Sequence, residues 1–209
     1  MISHFKLPAM LLLQEIIMAA LALGLLRAMR ESPETAGLGR PASNVLQKGL
    51  ASGWLLWLFA VVVGTLNIKF YVVLAREFHA QKLLGRLMSL DQRTDVAKVL
   101  SRLHSPVEFW SIVIVGTFLA PIAEEVLFRG FIYRFAQRYA GTVWAIAVSS
   151  LVFAAAHGGP IRFVPILLLG LVLGIVRRNT GSVWQGIIMH MTLNGIMFLM
   201  LFAEPNSLK

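Results

Sequence analysis

Apolar residues run along this chain in long stretches, at about Leu7–Leu26, Leu50–Leu66, Phe109–Phe135, Thr142–His157, Phe163–Val176 and Val183–Ala203. Several are long enough for the ~20 apolar residues needed to cross a ~30 Å hydrocarbon core. The pattern predicts an all-α, polytopic transmembrane helical bundle of about six spans; a transmembrane barrel would instead show short alternating segments. The third stretch is the longest and ends in Arg134 and Arg138, so it is expected to protrude from the bilayer. The fifth is short but carries Gly170 and Gly174, a small-residue spacing that lets helices approach closely.

The segments between the runs differ in kind. Arg30 to Lys48 holds Pro33, Gly37, Gly39, Pro41 and Ser43 and reads as a turn-rich loop. Lys69 to Ser105 mixes Lys and Arg with Phe78, Leu83, Leu84, Leu87 and Leu90, which predicts a basic amphipathic helix on the membrane surface. The expected organisation is one membrane domain. Residues 1–108 supply two spans and the surface segment, 109–203 the helical core, and 204–209 a tail. The first run has no small-residue cleavage site after it and reads as a retained span.

Composition narrows the class. Of 209 residues 57% are hydrophobic and only 14% charged, too little polar surface for a soluble domain of this length. A net charge of +9 raises nucleic acid as a partner, but no basic patterned helix or Gly/aromatic motif accompanies it, so none is expected. The basic residues flank the apolar runs, as contact with anionic lipid headgroups requires. Counted near the span ends, they favour the face carrying Arg27, Arg30, Arg40, Lys48, Arg129, Arg134, Arg138, Arg177 and Arg178 as cytoplasmic. Cysteine is absent, which removes disulfides and thiolate metal sites.

Against this background the polar intrusions are conspicuous. Ionisable residues inside a bilayer are expensive and mark function by default. Pro121-Ile-Ala-Glu-Glu-Val-Leu-Phe-Arg129 carries two adjacent glutamates, which a helix points about 100° apart, so they cannot share one task. Arg129 lies four residues beyond Glu125 in the order that favours pairing, which makes Glu125 the structural partner. Glu124 then faces a neighbouring helix or cavity without a counter-ion and is a candidate general base. Pro121 is placed to kink the helix and free a carbonyl near the site.

His157 closes the fourth run, with Phe153 one turn before it and Gly158-Gly159-Pro160 stopping the helix after it. Taken alone it is an interfacial histidine at a helix C-terminus, which the dipole favours. His190 and Asn194 share a face of the sixth run, and taken alone they suit interhelical hydrogen bonding and the binding of a carbonyl oxygen or water equally. Together the three segments supply a base, an imidazole and neutral donors for an oxyanion. Glu124, His157 and His190 are also a ligand set found in catalytic zinc sites, so zinc is admitted as a cofactor although none is favoured; no His-Glu-x-x-His motif is present. Glu15, beside Gln14 in the first run, is a further buried acid, expected to bond a neighbouring helix, with a substrate contact as the alternative.

Glu124-Glu125-x-x-x-Arg129, Phe153-x-x-x-His157 and His190-x-x-x-Asn194, in that order on separate spans, resemble the three motifs of the CPBP family. That family comprises type II CAAX prenyl endopeptidases and bacterial Abi or bacteriocin-immunity-type proteins. Asn179-Thr-Gly-Ser-Val-Trp184 resembles the family's approach to the third motif, and the likeness spans about Phe109 to Ala203. The resemblance implies an intramembrane endopeptidase in which Glu124 and His157 activate water, His190 and Asn194 stabilise the oxyanion, and Glu125, Arg129 and Phe153 support them. Family members are described both as metal-dependent and as metal-independent glutamate proteases. The implied partners are membrane lipid and a membrane-anchored protein or peptide substrate; the implied location is a bacterial or archaeal cell membrane, which the chain would cross several times. Two other readings use the same residues: a non-catalytic immunity or scaffold protein, and a proton-coupled transporter, although transporters often show repeated halves not visible here.

Overall fold

The computed structural model describes residues 6–91 and 105–203. Among these no strand occurs, and five helices are long and apolar enough to cross a membrane. They are α1 (Lys6–Ala28), α2 (Val45–Glu77), α4 (Pro106–Ala156), α5 (Phe163–Thr180) and α6 (Trp184–Ala203); α3 (Gln81–Asp91) is shorter. A straight helix of the 51 residues of α4 would reach ~76 Å, far beyond any bilayer. It does not run straight. Gly141, at φ 82° and ψ 177°, leaves helical geometry and folds the chain back on itself. The rings of Phe128 and Phe153, ~37 Å apart along a continuous helix, lie 5.1 Å apart across that fold. Five helices, one of them doubled, give the six spans expected from the apolar runs.

Apolar side chains face outward as they must in lipid: Trp54, Leu55 and Val143 are all more than half exposed. Without a hydrophobic drive between helices, close contact comes from small residues. A Cβ on Gly49 would stand 2.6 Å from Ile188 Cβ, and one on Gly53 2.5 Å from Thr192 Cβ, which sets α2 against α6. Gly170 and Gly174 do the same for α5 against the second arm of α4, at Ser150 and Ile146. Helix α1 lies along the first arm of α4 in the same direction. Leu11 packs with Ile112 and Phe198 near one end, and Leu26 reaches Gly130 near the other.

Two expectations are corrected. The amphipathic surface segment does not begin at Lys69, because α2 continues unbroken to Glu77; charges at Lys69, Arg76 and Glu77 are too sparse to stop a helix. Of the expected segment only α3 remains as a separate helix, with no buried residue, and residues 92–104 lie outside those described. Arg129 and Arg177, counted above as charges at a membrane face, are buried in the bundle. Arg177 spans from the Arg129 carbonyl (Nε donating, 3.2 Å) to the Thr35 carbonyl (Nη2 donating, 2.9 Å), holding residues 29–44 across one end of the bundle. Val183 N–H and Trp184 Nε1 tie the same loop down by donating to the carbonyls of Gly37 and Gly39.

Candidate active site

The first arm of α4 is irregular where its polar residues stand. Segments Val115–Leu119 and Val126–Ile132 are π-helical and flank the α-helical turn Ala120–Glu125. Such bulges widen a helix and recur at functional sites. In the wider register the Ala120 N–H donates to the Val115 carbonyl, so the Gly116 carbonyl falls opposite residue 121. That residue is proline and has no N–H to give. Asn194 supplies the missing donor, its Nδ2 lying 2.9 Å from the Gly116 oxygen. The carbonyl freed near Pro121 thus binds α6 to α4.

Glu125 and Arg129 are completely buried and paired, Nη1 to Oε1 at 2.8 Å. The guanidinium also donates from Nη2 to the Gly170 carbonyl at 3.0 Å and lies 4.5 Å from the centre of the Phe153 ring. Removing a charge from water costs several kcal/mol, roughly, and these contacts are what offset it. Gly186 on α6 makes the pair possible, since a Cβ there would stand 2.9 Å from Glu125 Oε2.

Glu124 has no such partner. Its Oε2 faces two imidazoles, 3.7 Å from His157 Nε2 and 3.8 Å from His190 Nε2. His157 Nδ1 is 2.8 Å from the Phe153 carbonyl, which can only accept. The hydrogen-bond network therefore assigns the proton of the neutral ring to Nδ1 and leaves Nε2 as the basic nitrogen turned to Glu124. His190 points Nδ1 at Glu125 Oε1, 3.6 Å away, and is thus set between both glutamates. Phe153 forms an apolar wall, its ring centre 4.3 Å from that of His157 and 5.9 Å from that of His190. Both Nε2 distances exceed a hydrogen bond and match the gap that a bridging water fills.

Buried polar groups in native structures are almost always paired, so unpaired ones need a reason. Glu124 Oε2, Glu125 Oε2, Arg129 Nε and His190 Nδ1 are all buried here without a hydrogen-bond partner. Glu15 Oε2 on α1 and Thr117 Oγ1 on α4 are in the same condition. The interhelical bond expected for that oxygen of Glu15 is thus missing. Two zinc ligands ~2.0–2.1 Å from the metal lie at most ~4.2 Å apart, so each Glu–His distance taken singly is compatible with zinc. Among the described residues, however, no three His, Asp or Glu side chains form a metal-holding group.

The structure thus brings His157 and His190 to 3.7 and 3.8 Å from Glu124, with Glu125, Arg129 and Phe153 packed behind them. Asn194 stands at the edge, committed on one side to Gly116. Residues 106–196 match the family described as type II CAAX prenyl endopeptidase Rce1-like. The match supports a CPBP-type intramembrane protease for this segment. It runs from the start of α4 into α6 and includes none of α1 or α2. Neither the comparison with curated proteins nor that with solved structures gave a match. The likeness supports a CAAX-type protease at family level, and the long apolar helices make the chain an integral membrane protein.

Proposed function

We propose that this protein hydrolyses a peptide bond of a membrane-associated protein or peptide with a water activated by Glu124 and His157, in the cell membrane of a bacterium or archaeon. The observation that supports this most directly is the convergence of two imidazole Nε2 atoms on one unpaired carboxylate oxygen inside the bundle. Water there donates one hydrogen to Glu124 and one to His157 Nε2, which directs an oxygen lone pair at the substrate. As the oxygen bonds to the scissile carbonyl carbon, Glu124 takes the proton. The oxyanion is met by N–H groups of His190 and of Asn194, whose Nδ2 has a second hydrogen besides the one given to Gly116. Collapse breaks the C–N bond, and the proton on Glu124 passes to the leaving nitrogen. Glu125 and Arg129 keep His190 in place through the Oε1 contact, and Phe153 keeps the site dry. Each of these steps uses the chain's own side chains; zinc held by Glu124, His157 and His190 would supply a Lewis acid at the same place.

The test uses the protein in lipid nanodiscs with a farnesylated CAAX-terminated peptide reporter, alongside membrane peptidomes from cells with and without the protein. Glu124→Gln is expected to lose ~10²–10⁴-fold in turnover, the usual cost of a general base, with an unchanged melting temperature. Near wild-type turnover by that variant would remove Glu124 from the mechanism. An immunity or scaffold protein would produce no peptide that depends on Glu124.

A further inference from the structure

Glu15 belongs to α1, outside the segment that matches the family. It is 7% exposed, and its Oε2 is buried with no hydrogen-bond partner. α1 follows the first arm of α4 from Leu11, packed on the Ile112–Phe198 cluster, to Leu26 beside Gly130, and Glu15 and Glu124 both lie between these ends. Glu15 stands about one turn beyond Leu11, and Thr117 about one turn beyond Ile112, so the two share a level in the bundle. Thr117 Oγ1 is likewise buried and unpaired. α1 packs directly against the Ala120–Glu125 turn, so no helix separates Glu15 from Glu124. Unpaired polar atoms therefore extend from Glu124 along the α1–α4 seam for roughly two turns, or ~10 Å.

We infer that Glu15 anchors the substrate: its carboxylate accepts a main-chain N–H of the peptide, about three residues from the scissile bond at ~3.3 Å per extended residue. The inference rests on the hydrolase reading above. An extended peptide inside the bilayer brings one bare N–H per residue, which hydrocarbon cannot satisfy. Glu15 Oε2 is an acceptor with the complementary deficit. Thr117, with a hydroxyl that both donates and accepts, serves the adjacent peptide group.

The test compares wild type, Glu15→Gln, which keeps an acceptor oxygen, and Glu15→Leu, which keeps the bulk without one. On the farnesylated CAAX reporter the Leu variant is expected to lose ~10–100-fold in kcat/KM, mainly through KM, and the Gln variant only a few-fold, roughly. Reporters with one backbone amide at a time replaced by an ester identify the N–H concerned. Wild type loses by the same factor on that ester, and the Leu variant loses nothing further. Removing a buried unpaired carboxylate should leave the melting temperature unchanged or higher, which separates anchoring from folding. Equal penalties for the Leu variant on every reporter, or a Gln variant as poor as Leu, would overturn the assignment.

Binding of the intact reporter in a Glu124→Gln background tests the anchor independently of cleavage. Loss of binding with Glu15→Leu supports it even if no variant cleaves, in which case only the hydrolase reading fails. Equal binding by both, or no binding when Glu15 is intact, sinks the anchor whatever happens to cleavage.

Discussion

Glu125→Gln isolates the charge of the buried pair while keeping its shape. Arg129 has no exposed surface and would be left as an uncompensated cation. Breaking a buried pair from one side costs ~3–5 kcal/mol. Two of the arginine's contacts survive the change, the Gly170 carbonyl at 3.0 Å and the Phe153 face at 4.5 Å, and the new amide still accepts from Nη1. The loss should therefore fall at the lower end, ~3 kcal/mol, which for a chain of this size is a drop of ~6–12 °C in melting temperature. The assay is thermal unfolding in nanodiscs, scored with turnover. Glu125→Leu combined with Arg129→Met should recover most of the stability, because two apolar residues leave no buried charge, while turnover stays lost. An inactive Glu125→Gln protein melting within about 2 °C of wild type would refute the argument and give Glu125 the chemical role assigned to Glu124.

Gly186→Ala should destabilise by ~1–3 kcal/mol and impair turnover, since its Cβ would press Glu125 Oε2 at 2.9 Å. Gly195→Ala, which meets only Thr117 Cγ2 at 3.5 Å, is the tolerated control for the same helix. At the bundle end, the Arg134 guanidinium bonded to Glu31 holds its carboxyl below the ordinary 4.5, helped by Thr35 and Arg138 against the opposing effect of burial. A depressed carboxyl stabilises the fold fully above its unfolded pKa and loses that contribution as pH falls through the lower folded value. The melting-temperature difference between wild type and Glu31→Gln should thus be constant at neutral pH and shrink below 4.5; a difference independent of pH down to full acid unfolding would contradict it. For metal, active protein should keep turning over after chelation, as elemental analysis beside activity would show; stoichiometric zinc whose removal and return switch turnover off and on would reverse that expectation.

The spans were legible because hydrocarbon tolerates few exceptions, and the polar residues were legible because they are those exceptions. Glu124, His157 and His190 stand out in apolar runs, and the spacing of four between Glu125 and Arg129 is read directly from helix geometry. What stayed hidden depends on how helices lie against each other. Nothing in the sequence announces the π-helical register at Val115–Leu119, yet that register turns the Gly116 carbonyl toward Asn194. Arg129 and Arg177 look like flanking charges until the bundle closes over them. Glu15 was visible as a buried acid, but its neighbours were not, because the α1–α4 seam is set by side-chain shape and leaves no spacing signal.

The Glu125–Arg129 pair is better explained by placement than by stability. Well-packed apolar residues usually replace a buried ion pair at no loss, so this one is weak evidence for a stronger fold. Its geometry does something apolar residues cannot. Arg129 fixes Glu125 Oε1 at 2.8 Å and is itself fixed to the Gly170 carbonyl, so α4 and α5 jointly set the oxygen that lies 3.6 Å from His190 Nδ1. His190 then presents Nε2 toward Glu124, where His157 presents its own from the second arm of α4. A bundle held together by dispersion alone would let these rings turn. In this arrangement the charged pair keeps His190 aimed at Glu124 beside His157. That is why removing both members of the pair should leave a protein that is folded and inactive.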